Sequence, residues 1–258
     1  MKSDWKKNKK GHDKYWGGLY NFITQNSSKY NNLKEEFLAL NNFEMKGKAP
    51  PFMYEGKLLS GDCNKYALTK QNILYNLIKD RIDGADYLID LGSGWGRNSI
   101  SYSMKDPNQK IISGELSDSG KNITKSFIKK YNLPIESIPF NFFDFTSLIN
   151  HLKSKNISKV MLFSFHAIEQ ADFLREEDFR KLLSLPIEFK ALHFEPVAWQ
   201  YRGQKFPFGN HYNQNFKKIL ESLEKDCILK VNNINHTHYQ CNTNAGGRNS
   251  TLIEWEKL

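Results

Sequence analysis

The sequence predicts an α/β fold built on a doubly wound, mostly parallel sheet. From residue 65 onward, short apolar runs alternate with amphipathic segments, which is the pattern of βαβ units. One apolar run leads into a glycine-rich turn, and the last two strand-like runs are joined by a loop too short for a helical crossover. Together these observations predict a seven-stranded sheet whose last strand pair is antiparallel.

Each predicted element follows from apolar spacing and from the turn residues beside it. A helix is predicted over 65–81, and Asp83 and Gly84 end it before the first strand of the sheet, Tyr87–Leu91. Further strands are predicted at 110–116, 137–141, 159–164 and 191–197, with helices near 98–104, 119–131, 145–154 and 175–185. A last helix over 213–225 precedes the strand-like runs 228–239 and 251–256.

The first 62 residues differ in composition, being rich in Asn, Lys and aromatic side chains. Leu33, Phe37 and Leu40 recur at helical spacing, and the proline pair after Ala49 breaks any continuation. We therefore predict two parts, an N-terminal helical cap or extension over 1–62 and a ligand-binding domain over 63–258. The aromatic cluster at 15–22 is expected to cover the substrate or to form the contact of a homodimer.

Composition and charge narrow the classes of function. A chain of 258 residues with 39% hydrophobic content suits one enlarged domain. The first 14 residues hold six Lys and two Asp, which is +4 of the net +9, and the remaining +5 is spread without a basic run, so no nucleic-acid partner is predicted. No apolar stretch approaches the roughly 20 residues of a membrane span, and the start of the chain lacks the apolar core of a signal peptide, which predicts a cytoplasmic location.

The most informative segment is the strand at 87–91 followed by Gly92-Ser93-Gly94-Trp-Gly96. Glycines suit a strand-to-helix turn that must admit a ligand against bare backbone. A dinucleotide fingerprint would need its third glycine at the position of Arg97. The observed spacing, with Asp90 two residues before the first glycine, resembles the first motif of the class I S-adenosylmethionine-dependent methyltransferases.

Two further acidic residues carry the resemblance. Glu115 ends the second predicted strand, and in the resembling family an acid there binds both ribose hydroxyls while the next residue, here Leu116, packs on adenine. Asp144, preceded by Phe143, matches the family's acid that faces the adenine amino group. The resemblance covers 65–258 and implies S-adenosylmethionine as cofactor and S-adenosylhomocysteine as product, with Ser164 also beside the cofactor.

The end of the fourth predicted strand is where the resemblance places methyl transfer. His166 lies there, and an imidazole suits proton removal near neutral pH, although a structural histidine at a strand end explains it equally well. The segment Ser164-Phe-His-Ala does not match the Asn/Asp-Pro-Pro-Tyr/Phe motif typical of enzymes that methylate nucleic-acid amino groups. This mismatch is a further argument against a nucleic-acid substrate.

Polar residues after the fourth and fifth strands are candidates for acceptor binding, although each could be an ordinary loop residue. They are Glu169, His193, Glu195, Trp199, Gln200, His211 and Asn213. His236 and His238 alternate on one strand and could join His193 or Glu195 around a metal ion, but the same alternation describes any half-polar strand. No metal site is therefore predicted.

The leading hypothesis is methyl transfer to an oxygen of a small polar acceptor, with His166 as base. A sugar or sugar-linked acceptor, from polysaccharide or secondary metabolism, is expected by analogy with bacterial enzymes that pair such a core with a helical cap. Transfer to the nitrogen of a small amine and non-catalytic binding of S-adenosylmethionine are the alternatives. A nicotinamide oxidoreductase is disfavoured because Arg97 occupies the position where a dinucleotide-binding motif has its third glycine.

Overall fold

The structure is a computed structural model that describes residues 5–48, 52–54, 57–59, 62–171, 173–195, 213, 215–240 and 250–258. For 5–8, 52–54, 57–59, 236–240 and 250 it describes the backbone alone. The helices in these ranges are α1 (Trp5–Asn26), α2 (Leu33–Glu44), α3 (Cys63–Lys79), α4 (Arg97–Ser103), α5 (Asp118–Tyr131), α6 (Thr146–Lys153), α7 (Glu176–Leu183) and α8 (Phe216–Lys225). The strands are β1 (Phe52–Tyr54), β2 (Lys57–Leu59), β3 (Tyr87–Leu91), β4 (Ile111–Glu115), β5 (Ile135–Pro139), β6 (Lys159–Phe165), β7 (Glu188–Glu195), β8 (Leu229–Gln240) and β9 (Ser250–Lys257).

The strands form one sheet in the order β2-β1-β8-β9-β7-β6-β3-β4-β5. Strands β3 to β7 pair in parallel, and β9 lies antiparallel between β7 and β8. The predicted mostly parallel sheet with an antiparallel last pair is therefore confirmed. The hairpin β1–β2, which the sequence analysis did not predict, pairs with β8 and widens the sheet to nine strands.

Hydrophobic clusters cover both faces of the sheet, as a doubly wound fold requires. Leu88 of β3 packs in the cluster with helices α1 to α5, and Ile89 packs in the cluster with α6, α7 and α8. The fully buried strands explain why their sequences read as continuous apolar runs. Within the described ranges, every helix falls short of the length and apolar character needed to cross a bilayer.

Helix α1 is longer than anything predicted for the start of the chain. It carries Gly11, Gly17 and Gly18 in its interior, and each costs about 0.5–1 kcal/mol relative to alanine. Buried Leu19 and Ile23 on its inner face offset this cost by packing against the other N-terminal helices and the sheet.

Candidate active site

The chain reverses direction across the sheet at β3, which has β4 on one side and β6 on the other. Open α/β sheets bind ligands at such a switch point, outside the carboxyl ends of the strands. The structure has an open pocket there. Its lining comprises His12, Trp16, Gly92, Gly94, Glu115, Leu116, Phe140, Asn141, Phe142, Phe143, Ala167, Gln170 and Ala171.

Gly92 and Gly94, which belong to residues 92–96, called the glycine loop below, line this pocket. Gly92 and Gly94 have φ of +75° and +60°, a conformation that side chains other than glycine rarely adopt. A Cβ on Gly92 would lie 2.7 Å from the Ala167 Cβ, and one on Gly94 would lie 2.9 Å from the Trp16 ring. Glycine therefore permits the backbone turn and leaves the space above it free of side-chain atoms.

The predicted Asp90, Ser93 and Gly96 are not among the residues that line this pocket. Asp90 is buried and accepts a hydrogen bond from Ser99 Oγ at 2.8 Å, while its Oδ1 has no partner within the described part of the chain. Burial raises the pKa of Asp90 to about 7, against the opposing effect of the hydrogen bonds from Ser99. Ser93 Oγ accepts from Ser113 Oγ at 2.8 Å, and Gly96 caps α4 with φ of +79°.

Glu115 lies at the end of β4, where the sequence predicts it, and it lines the pocket. Its Oε2 accepts from the Gly94 amide at 2.9 Å and its Oε1 from the Ser117 amide at 2.8 Å. Burial raises the pKa of Glu115, while these two amides and the nearby His12 oppose the shift. The carboxylate thus ties the glycine loop to β4 and presents its remaining acceptor capacity to the pocket.

Leu116 and Phe143 line the pocket, but Asp144 does not. Asp144 is exposed and accepts from the Thr146 amide at 2.9 Å, at the start of α6. Asn141 lines the pocket instead, and its Oδ1 accepts from the Phe143 amide at 3.0 Å. The contact of Asp144 with adenine stays a prediction.

Two residues reach the pocket from α1: His12, which was not among the predicted site residues, and Trp16, which belongs to the aromatic cluster predicted to cover the substrate or to form a dimer contact. Lys9 contacts Asp118 at 2.6 Å, and Asp13 accepts from the Ser119 amide at 3.1 Å, so the start of α5 holds α1 in place. Trp16 Nε1 is buried without a partner in the described ranges. Helix α1 therefore lies over the glycine loop and offers an N–H donor to a ligand.

His166 directly follows β6 in a left-handed conformation, with φ of +55°. Its amide donates to the Phe194 carbonyl at 3.0 Å, and its ring stacks on Phe165 with centroids 5.0 Å apart. Its Nδ1 lies 3.8 Å from Glu169 Oε1, and its side chain is 22% exposed. A strained, partly exposed histidine beside pocket residues Ala167 and Gln170 is a candidate for function.

Ser164, His193 and Glu195 form a buried chain of hydrogen bonds inside the sheet. Trp255 Nε1 donates to His193 Nε2 at 3.0 Å, so the neutral ring carries its proton on Nδ1, which faces Ser164 Oγ at 2.9 Å. Ser164 donates to Glu195 Oε1 at 2.7 Å. Both nitrogens of His193 are engaged, so we correct the assignment of this residue from acceptor binding to the sheet interior.

Glu195 also organises the loop that carries His166. Its carboxylate accepts from the amides of Ala167 at 3.0 Å and Glu169 at 3.3 Å. Burial raises the pKa of Glu195 to about 7, against these hydrogen bonds. Glu195 and Ser164 therefore support the loop from below and do not line the pocket, a further correction to their predicted ligand contacts.

Asn213 is likewise buried in a structural role. Its Nδ2 donates to the Ala171 carbonyl at 2.8 Å, and its Oδ1 accepts from the Phe216 amide at 2.7 Å, joining the loop after β6 to α8. Glu169 belongs to the same loop and is 3% exposed. Trp199, Gln200 and His211 lie outside the described residues, as do the side chains of His236 and His238.

No metal centre is formed within the ranges that the structure describes. There, no three His, Cys, Asp or Glu side chains come together in a way that could hold a metal ion.

Burial of His193 makes part of the stability depend on pH. Burial lowers the pKa of His193 to about 3, so the stability that its neutral form contributes is present above pH 6.5 and lost as the pH falls toward 3. Between pH 7 and pH 4, the free energy of unfolding should fall by about 2–3 kcal/mol more in the wild type than in His193→Gln. Urea unfolding at pH 7, 5.5 and 4 measures this difference, and parallel losses in both proteins would contradict it.

The chain was compared with family models, with curated proteins and with solved structures. No family model and no curated protein matches the chain. An O-methyltransferase from Bacillus cereus, solved in complex with S-adenosylhomocysteine, matches with a TM-score of 0.54 and 14% identity over 94% of this chain and 98% of that one. A Klebsiella pneumoniae protein, provisionally assigned as an O-methyltransferase, matches with a TM-score of 0.53 and 11% identity over 95% and 99%. The chain therefore has the Rossmann-like fold of these methyltransferases along nearly its whole length.

Proposed function

We propose that this protein is an S-adenosylmethionine-dependent methyltransferase that acts on an oxygen of a small polar acceptor. The observation that carries the proposal is the pocket at the switch point, where the glycine loop and Glu115 meet Leu116 and Phe143. The fold it shares with the two methyltransferases supports the reaction class. A sugar or sugar-linked acceptor and a cytoplasmic location stay predictions from the sequence.

The residues present fit this cofactor. Glu115 would accept from the ribose hydroxyls, and Leu116 and Phe143 would enclose the adenine. Asp90 Oδ1 and Trp16 Nε1 are buried without partners in the described ranges, and the cofactor carries both a cationic amino group and several acceptor atoms. A Cβ at Gly92 or Gly94 would narrow the space that such a ligand needs.

When bound, the cofactor supplies an electrophilic methyl group on a positively charged sulfur. The protein's task is then to align the acceptor oxygen and to remove its proton. In the proposed transfer, His166 would take the proton of the acceptor hydroxyl as that oxygen receives the methyl group. Glu169, 3.8 Å from His166 Nδ1, would favour the protonated imidazole.

Calorimetric titration with S-adenosylhomocysteine and with NAD tests the cofactor assignment. We expect micromolar binding of the first and none of the second. Binding of NAD alone would overturn the proposal. Transfer of a labelled methyl group from S-adenosylmethionine to hydroxyl and amine acceptors then tests the reaction, and cofactor binding without turnover on any acceptor would favour a non-catalytic role.

Replacing the candidate base tests the choice between oxygen and nitrogen. With a hydroxyl acceptor, His166→Asn should lower kcat by about 10²–10⁴-fold and leave the affinity for S-adenosylhomocysteine unchanged, because the base acts on the acceptor alone. His151→Asn is the matched control, since His151 has similar exposure, 21%, and also lies beside a glutamate. Unchanged turnover in His166→Asn with an amine acceptor would favour nitrogen transfer.

A further inference from the structure

Helix α1 covers the candidate active site with its first half. His12 and Trp16 line the pocket from this half, and a Cβ on Gly94 would lie 2.9 Å from the Trp16 ring. The free space left in the pocket is about 70 Å³, enough for a few water molecules and well below the roughly 300 Å³ at which small-molecule sites begin. Part of the lining must therefore move before a nucleoside-sized ligand can bind.

The two halves of α1, which meet at a pair of glycines, are held to the rest of the protein in different ways. After the glycines, Leu19 and Ile23 are buried in the hydrophobic cluster that covers this face of the sheet. Before the glycines, Trp16 is only partly buried, and the contacts of Lys9 and Asp13 with the start of α5 are polar. Polar contacts near the surface contribute little stability, so the first half is held less firmly than the second.

The two glycines at the boundary, Gly17 and Gly18, have no structural reason to be glycines. A Cβ at either position would meet nothing within 4 Å, and neither residue has a positive φ. Glycine inside a helix is destabilising relative to alanine because it leaves the backbone more freedom to lose. Close packing and backbone conformation therefore do not explain the pair, whereas a need to bend at this point does.

We propose that Gly17 and Gly18 form a hinge and that residues 5–16, called the gate below, swing on it over the cofactor site. The gate would leave α5 to admit S-adenosylmethionine and would close again over the bound molecule. Trp16 Nε1, buried and without a partner in the described ranges, would then donate to that molecule. The identity of the ligand rests on the proposed function, whereas the hinge does not. Such gates commonly set the rates of binding and release.

Stopped-flow binding of S-adenosylhomocysteine to the full chain, followed by tryptophan fluorescence, tests the gate. Alanine at the hinge favours the straight, closed helix. In the double variant Gly17→Ala/Gly18→Ala we therefore expect the association and dissociation rate constants to fall together by about tenfold, with Kd unchanged. Gly11→Ala is the matched control, since a Cβ there also meets nothing within 4 Å but lies inside the gate, away from the hinge. It should bind and release the ligand at the wild-type rates.

A variant that loosens the gate should have the opposite effect. Asp13→Ala removes the hydrogen bond that the Ser119 amide donates to the gate at 3.1 Å. Both rate constants should rise by about fivefold, because a hydrogen bond to a charged group is lost only when the gate is closed. Rate constants equal to those of the wild type in both Asp13→Ala and the double glycine variant would overturn the gate. A fall in the association rate constant alone would also overturn it, since the gate would then stay open over the bound ligand.

Hydrogen exchange of the ligand-free chain tests the hinge without any ligand. Bending at the glycines breaks the helical hydrogen bonds that span them, which the amides of residues 19–21 donate. Exchange at these amides should slow by about tenfold in the double variant and stay at the wild-type rate in Gly11→Ala. Unchanged exchange in the double variant would refute the hinge. Absence of S-adenosylhomocysteine binding to the wild type would instead refute the proposed function, so the two failures are distinguishable.

Discussion

Glu115→Gln is expected to weaken the binding of S-adenosylhomocysteine by about 100-fold or more. The ionised carboxylate would accept two charge-assisted hydrogen bonds from the ribose, each contributing about 1.5–3 kcal/mol. The amides of Gly94 and Ser117 already donate to its two oxygens, so the NH₂ group of a glutamine must face one donor or the other. The substitution therefore removes ribose contacts and loosens the glycine loop together.

Calorimetry on wild type, Glu115→Gln and Glu136→Gln measures this effect. Glu136 lies on neighbouring β5 and contacts Lys155 at 2.7 Å, at a partly exposed position that does not line the pocket. Its substitution should leave cofactor affinity unchanged. An affinity of Glu115→Gln close to that of the wild type would remove Glu115 from the cofactor site.

Gly92→Ala is expected to impair both folding and cofactor binding. The positive φ costs an alanine about 1–2 kcal/mol, and the new Cβ would lie 2.7 Å from the Ala167 Cβ and 2.9 Å from the Phe142 ring, at a further cost of about 1–3 kcal/mol. Relief of this clash must move Ala167 or Phe142, and both line the pocket. We expect the affinity for S-adenosylhomocysteine to fall by at least about tenfold.

Gly84→Ala separates the cost of the positive φ from the cost of the steric clash. Gly84 has a similar φ of +70°, but a Cβ there would meet nothing within 4 Å. Urea unfolding should show the cost of the backbone conformation in both variants and the cost of the clash in Gly92→Ala alone, and only Gly92→Ala should lose cofactor affinity. Equal destabilisation of the two variants would show that the loop accommodates the extra methyl group.

The central sheet was predictable because its strands are buried on both faces. The prediction for β3 matches its observed bounds, and the short 240–250 connection was enough to predict that β9 is antiparallel to β8. The hairpin β1–β2 escaped prediction, since its strands are three residues long and follow a proline pair. Helix α1 escaped because its interior glycines weaken the local signal, and His12 was missed with it.

The cofactor half of the site was easier to predict than the acceptor half. Glu115 and the glycines occupy positions fixed by where strands end, and that can be deduced from apolar runs alone. His193, Glu195 and Asn213 are polar residues near strand ends as well, yet they are buried by partners such as Trp255, which is 62 residues from His193 in the chain. Sequence spacing carries no information about such distant hydrogen-bond partners.

The insertion of β9 between β7 and β8 bears on how the protein is made. During translation β8 emerges before β9, yet in the sheet β8 reaches β7 only through β9. A nascent chain that stops short of residue 250 therefore exposes the edges of β7 and β8 at once. Unpaired strand edges favour aggregation, so we expect the chain to be most prone to aggregate before β9 pairs with β7 and β8.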